Sequence, residues 1–209
     1  MATFKKMISP SSMKYLPISK DVRDVIFNHK FNTYVSKDSE FNKYMLFVGN
    51  AVHYFIEYYI NKKLTRDNAY VNAILMAKKK SILKVDVTQE VIDVIDIAIA
   101  KALEFLNNKT YDIEVNVYAE TGSSLYDASI GGTADIVIYN DDDTVTIADF
   151  KNYRNPNSSN LYKHYIQCLA YANLISKTEG VKIKDIQIVY NLQDEVVTLP
   201  YQEIDLDNI

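Results

Sequence analysis

The sequence predicts a mixed α/β domain in which amphipathic helices cover a sheet, and three features of its pattern carry that expectation. Apolar residues recur at helical spacing along the first half of the chain. Residues 112–151 then alternate with the two-residue period of strands, and a further helical stretch near 161–177 is followed by two short strand-like runs. With 209 residues, 48% of them hydrophobic and 24% charged, the chain can bury one sizeable core. Few prolines or glycines interrupt it, so one domain is expected over 1–209: an arm (1–38), a helical part (39–110) and a sheet core (111–209).

In order, the arm carries scattered apolar positions with Pro10 and Pro17, and one short helix is expected near Asp21 to His29. From Ser39 the spacing of Gly49, Val52, His53, Ile56 and Ile60 predicts a helix with His53 on the side that Val52 and Ile56 bury. A histidine there is either a satisfied core residue or a ligand, and Glu57, one turn on, can pair with it or face solvent. A second helix is expected from Asn68 to Leu83. A third runs from a Thr88 cap through Val91, Ile95, Ala98 and Ala102 to Leu106. Ile113, Val115, Val117 and Ala119 alternate with Asp112, Glu114, Asn116 and Glu120, which predicts a strand half buried along its length. After the turn at Gly122 to Ser124 comes a strand bearing Asp135. The acidic turn at Asp141 to Asp143 leads into another, in which Val145, Ile147, Asp149 and Lys151 share one face. A helix from about Leu161 to Lys177 closes at Gly180, and the runs Asp185 to Leu192 and Val196 to Tyr201 read as strands.

Composition narrows the function classes. The single cysteine, Cys168, excludes an internal disulfide and a multi-cysteine zinc or iron–sulfur site. No apolar run reaches the length of a membrane span and no signal peptide is evident, so an intracellular, cytoplasmic protein is expected. The net charge of -4 argues against indiscriminate polyanion binding. A basic stretch at Lys62, Lys63, Arg66 and Lys78 to Lys80 reads equally as a solvated helix face or a phosphate track.

Chemistry concentrates at the ends of the two central strands. Val145 and Ile147 begin a strand whose last outward positions are Asp149 and Lys151, so two carboxylates (Asp135 and Asp149) and an ammonium converge where a sheet opens. Such a place suits a divalent metal and a water. Gln167 and Tyr171 lie four apart and share a helix face, either as core packing or as a contact surface.

Gly49-x-x-x-His53, Glu120 at a strand end, Gly132-Thr-Ala-Asp135, Ile147-Ala-Asp-Phe-Lys151 and Gln167-x-x-x-Tyr171 resemble, in order and spacing, the RecB-like exonuclease branch of the PD-(D/E)xK nuclease superfamily. Phage exonucleases and the mitochondrial genome maintenance exonuclease type look most similar. The resemblance implies a mixed central sheet flanked by helices, a restriction-endonuclease-like core. It implies that Asp135, Asp149, the backbone carbonyl of Phe150 and His53 hold Mg²⁺ or Mn²⁺, one ion or two, with no iron–sulfur cluster and no ATP. Lys151 would orient the attacking water, and Glu120 would bind a second ion or steer water. Gln167, Tyr171 and Arg154 would contact the nucleic acid. The implied activity is a DNA exonuclease of repair, recombination or other DNA processing, acting on single strands or single-stranded ends in a bacterial or phage-infected cell. Two alternatives share the fold: a structure-selective or nicking endonuclease, and a non-catalytic DNA-binding or inhibitory protein.

Overall fold

The computed structural model of the protein describes residues 6–10, 13, 16–32, 44–81, 86–120, 128–153 and 155–205. Within these, six strands form one sheet: β1 (Lys6–Ile8), β2 (Thr110–Glu120), β3 (Ala128–Tyr139), β4 (Thr144–Lys151), β5 (Lys182–Tyr190) and β6 (Glu195–Pro200). The helices are α1 (Lys20–Asn28), α2 (Met45–Ile56), α3 (Arg66–Lys80), α4 (Gln89–Leu106) and α5 (Ser158–Glu179). The sheet is mixed, as expected. β2, β3 and β4 pair antiparallel in sequence order, β5 joins β4 in parallel, β6 closes antiparallel, and β1 runs parallel to the start of β3.

Local signals set the helix ends. Thr88 and Thr65 accept from the backbone N–H groups of Val91 and Asn68 as N-caps, and Asn157 and Asn160 form a reciprocal capping box at the start of α5. Gly180 ends α5 at φ 67°, a left-handed cap that glycine adopts without steric cost. α2 continues into a turn of wider π-helix at Glu57–Asn61, which rotates the residues beyond it relative to a regular helix.

Helices cover both faces. α1 and α5 pack on one, against Ile130, Ala134, Val145, Ile147, Ile186 and Ile188. α2, α3 and α4 pack on the other, against Ile113, Ile136, Ile138, Ala148 and Phe150. β2 and β3 do not keep to one face, contrary to the uniform alternation read from sequence. Along β2, Ile113 faces the α2–α4 layer, whereas Val117 and Ala119 face the α5 layer; along β3, Ile136 and Ile138 face the first and Ala134 and Ile130 the second. Register is unbroken across the change, with Ile113 opposite Ile136 and Val115 opposite Ala134. Both strands therefore swap faces together at the pair Glu114 and Asp135. Glu114 adopts φ 53°, a left-handed conformation uncommon outside glycine, and that one residue rotates the strand.

β3 and β4 also separate at this level. Their ladder ends at Ile136 opposite Ala148, while β4 stays paired with β5 as far as Lys151 opposite Tyr190. Beyond the gap, β3 passes under α5, where Gly132 lets the buried ring of Tyr171 lie directly on the backbone. A Cβ at Gly132 would stand 2.9 Å from Tyr171 Oη, 3.1 Å from its Cε1 and 3.3 Å from Pro10 Cδ.

That contact yields a stability prediction. Gly132→Ala should lower the unfolding free energy by about 1–3 kcal/mol, the usual cost of forcing an extra methyl group into a packed site. Tyr171→Phe alone should be tolerated, and in the double variant it should return part of the loss. Denaturant unfolding checks this, and a neutral Gly132→Ala would show that α5 does not press on β3 there.

Candidate active site

Four side chains expected from the sequence meet at the gap between β3 and β4. Asp135 comes from the turning point of β3, Asp149 and Lys151 from one face of the end of β4, and His53 from α2 above the gap. One ligand atom each from His53, Asp135 and Asp149 lie within 4.8 Å of one another. His53 Nε2 stands 3.4 Å from Asp135 Oδ2, and the Lys151 ammonium donates to Asp149 Oδ1 at 2.8 Å and lies 2.7 Å from Oδ2 as an ion pair. His53 is therefore no core residue. Its ring is one-third exposed and faces carboxylates, while Glu57 pairs with Lys62 at 2.9 Å.

The electrostatics follow from two carboxylates held side by side away from water. Burial pushes Asp149 up to about 7; Lys151 opposes the shift and the neighbouring Asp135 reinforces it. Burial would raise Asp135 too, but the His53 imidazolium, a hydrogen bond with Asp149 and the Lys151 charge hold it below the usual carboxylate range. Asp135 in turn raises His53 to about 9, against the opposing effect of burial. Burial disfavours the Lys151 charge as well, yet Asp149 and Asp135 outweigh it and hold the ammonium above its ordinary value. Asp149 thus holds its proton well above the ordinary carboxylate range while Asp135 stays ionised, and the histidine serves as the counter-charge of Asp135.

This donor set fits a divalent cation. Asp135 Oδ2 is buried and lacks a hydrogen-bond donor, and the ligand atoms of His53, Asp135 and Asp149 lie within 4.8 Å of one another, a spacing that one cation can bridge. A metal held by these residues would supply the positive charge that the Asp149 proton and the His53 imidazolium supply without it. Phe150 sends its ring to the opposite face, edge-on to Phe105 with centroids 5.7 Å apart, which fixes its neighbours Asp149 and Lys151 toward α5.

Other expected residues lie differently. Glu120 sits at the end of β2 opposite Ser129, six residues along β3 from Asp135, a backbone separation of roughly 20 Å at strand rise. The glutamate opposite Asp135 is Glu114, whose Oε1 is 3.8 Å from His53 Nδ1. Sequence alternation counted Glu114 as an ordinary outward residue, because no residue type marks a left-handed glutamate. Tyr171 is buried, with its ring and hydroxyl against the backbone of Gly132. Gln167, half-buried on the same face of α5, interacts with the Tyr171 hydroxyl. Arg154 lies outside the described residues. Lys62 and Lys80 of the basic stretch rest over the rings of Tyr58 and Tyr54, at 4.1 and 5.1 Å from the ring centroids. Sequence reasoning also missed the support behind β4. His164, buried on α5, bridges the hydroxyls of Tyr190 (3.2 Å) and Tyr153 (3.4 Å), and burial and the Lys151 charge lower it to about 4, so it stays neutral.

The pH dependence of the metal-free protein follows. His53 and Asp149 both bind their protons more tightly when folded. The stability His53 contributes is fully present below its unfolded pKa of 6.5 and is lost as pH rises through about 9; that of Asp149 is lost as pH rises through about 7. Unfolding free energy measured in chelator should therefore fall between pH 6.5 and 9, and fall less steeply in His53→Asn. Identical slopes in the two proteins would contradict the His53–Asp135 coupling.

The family model of the PD-(D/E)XK nuclease superfamily matches residues 29–204. No curated protein matches the chain. Among solved structures, the crystal structure of SSO0001 is similar at 19% identity and a TM-score of 0.43, over 76% of this chain and 68% of that one, a likeness that bears on neither substrate nor chemistry. With a family match running from before α2 to beyond β6 and a sheet that gathers two aspartates and a lysine at one gap, the chain belongs to the PD-(D/E)XK nuclease superfamily.

Proposed function

We propose that this nuclease-family chain is a Mg²⁺- or Mn²⁺-dependent deoxyribonuclease of exonuclease type, a single nuclease domain acting on single-stranded DNA or DNA with single-stranded ends in processing, repair or recombination. The observation that carries the reading is the meeting of His53, Asp135, Asp149 and Lys151 at one gap in the sheet. The preference for exonuclease action rests on the imidazole of His53 and on Gln167-x-x-x-Tyr171, the features of the resemblance that belong to the exonuclease branch. No helix among the described residues is long and apolar enough to cross a membrane.

In this reading Asp135, Asp149 and His53 hold the ion, with the Phe150 carbonyl as a further oxygen donor. When bound, the ion acidifies a coordinated water and offsets charge on the scissile phosphate. The chain's own residues do the rest. Lys151, held beside Asp149, would orient the attacking water and face the charge that develops on the phosphoryl oxygens. Asp149 and Asp135 keep the site anionic enough to retain a cation. Buried His164, neutral between two tyrosine hydroxyls, adds no competing charge behind Lys151. Gln167 stands at the edge of the site as a polar contact for the strand, with Tyr171 holding α5 in place beneath it.

The test uses end-labelled linear DNA, single- and double-stranded, beside covalently closed circular DNA, each with Mg²⁺ or Mn²⁺. Products that shorten progressively from an end, with the closed circle intact, are expected; cleavage of the closed circle would overturn the exonuclease assignment. Lys151→Ala should lower turnover by at least 10³-fold while Mn²⁺ affinity stays within a few-fold, because the ammonium acts mainly on the transition state. Turnover near the parent's would remove Lys151 from the chemistry.

A further inference from the structure

Glu114 combines three features that no structural need of the sheet explains together. It takes a left-handed backbone, φ 53°, in the middle of a long strand, a conformation at which a glutamate is strained. In the β2–β3 register it falls at the level of Asp135, the position the ladder skips between the pairs Ile113–Ile136 and Val115–Ala134. Its carboxylate is 3.8 Å from His53 Nδ1, while the other ring nitrogen of His53 is 3.4 Å from Asp135. A β-strand turns a side chain to the other face by such a local rotation, and bulges of this kind re-aim residues beside active sites. Glycine would make the same turn without strain, so the retained carboxylate calls for an explanation.

We propose that Glu114 is a positioning residue for His53: it accepts from the Nδ1–H of the ring, and so leaves the Nε2 lone pair directed at the cation position between Asp135 and Asp149. The inference rests on the reading of His53 as a metal ligand. At 3.8 Å the pair is at ion-pair range, and contacts that are long without the ligand shorten when the site is loaded. A carboxylate behind a ligating imidazole fixes its tautomer and ring orientation and raises its basicity, and loss of such a partner typically weakens metal binding 10- to 100-fold. Glu114 would thus act on the ion only through His53. That separates it from a direct ligand, and it gives the backbone strain a purpose.

A double-mutant cycle with Mn²⁺ alone as the probe tests this by calorimetry on the full chain, with parent, Glu114→Gln, His53→Ala and the double variant. Glu114→Gln should weaken Mn²⁺ binding about 10- to 100-fold in the parent background and less than twofold in the His53→Ala background. Pulsed EPR of the Mn²⁺-loaded parent should show imidazole nitrogen coupling that is reduced in Glu114→Gln. Glu114→Gly, which suits the left-handed backbone, should melt no lower than the parent yet lose Mn²⁺ affinity to a similar degree, so a folding defect is not mistaken for the effect. Equal Mn²⁺ affinity in parent and Glu114→Gln, or an equal loss in both backgrounds, would overturn the proposal. Failure of the parent itself to bind Mn²⁺ would overturn the metal reading on which it stands.

Discussion

Two aspartates held side by side at the one place where the central strands part set the terms for everything around them. Ionising Asp149 beside an ionised Asp135 is costly, because burial and the neighbouring charge both favour its protonated form. The metal-free protein answers with a proton held on Asp149, an imidazolium at His53 and an ammonium at Lys151. Each of those answers is also a functional group: the proton marks where a cation belongs, the imidazole is a ligand in waiting, and the ammonium stands where a nucleophile needs orientation. The charge problem and the proposed chemistry are the same arrangement seen with and without an ion.

The fold builds that gap from backbone geometry. β3 must leave β4 after Ile136 to open it, and must also move its apolar residues from the α2–α4 layer to the α5 layer. The rotation at Glu114 lets β2 follow without loss of register, and Gly132 lets α5 approach closely enough to seal the far side with Tyr171. Sheet twist, helix approach and site are therefore coupled. Shifting the face change by one residue would turn Asp135 away from Asp149 and bury Ile136 on the wrong side.

Much of this was legible in the sequence, for identifiable reasons. Caps at Thr88 and Gly180 and the helical period of residues 88–106 gave α4 and the end of α5 because side-chain and backbone chemistry are local there. The parity of Asp149 and Lys151 placed both on one face because β4 is short and keeps a single twist. What could not be read depended on distant partners. β1 owes its existence to β3, more than a hundred residues away, and not to any pattern in three residues. Glu120 looked like the site's glutamate because it ends a strand, but register, which sequence does not display, put Glu114 opposite Asp135. Tyr171 read equally as core packing or as a contact surface, and the close approach of its ring to Gly132, which a Cβ would block, could not be read from spacing alone.

The central claim is that His53, Asp135 and Asp149 form one cation site with Lys151 beside it. Crystals soaked in Mn²⁺ and measured at the manganese absorption edge test it most directly. The account predicts an anomalous peak within coordination distance of His53 Nε2 and of both aspartate carboxylates, with the Lys151 ammonium outside the coordination shell. A fully soaked crystal with no peak in the gap between β3 and β4, or with manganese bound only elsewhere, would contradict it.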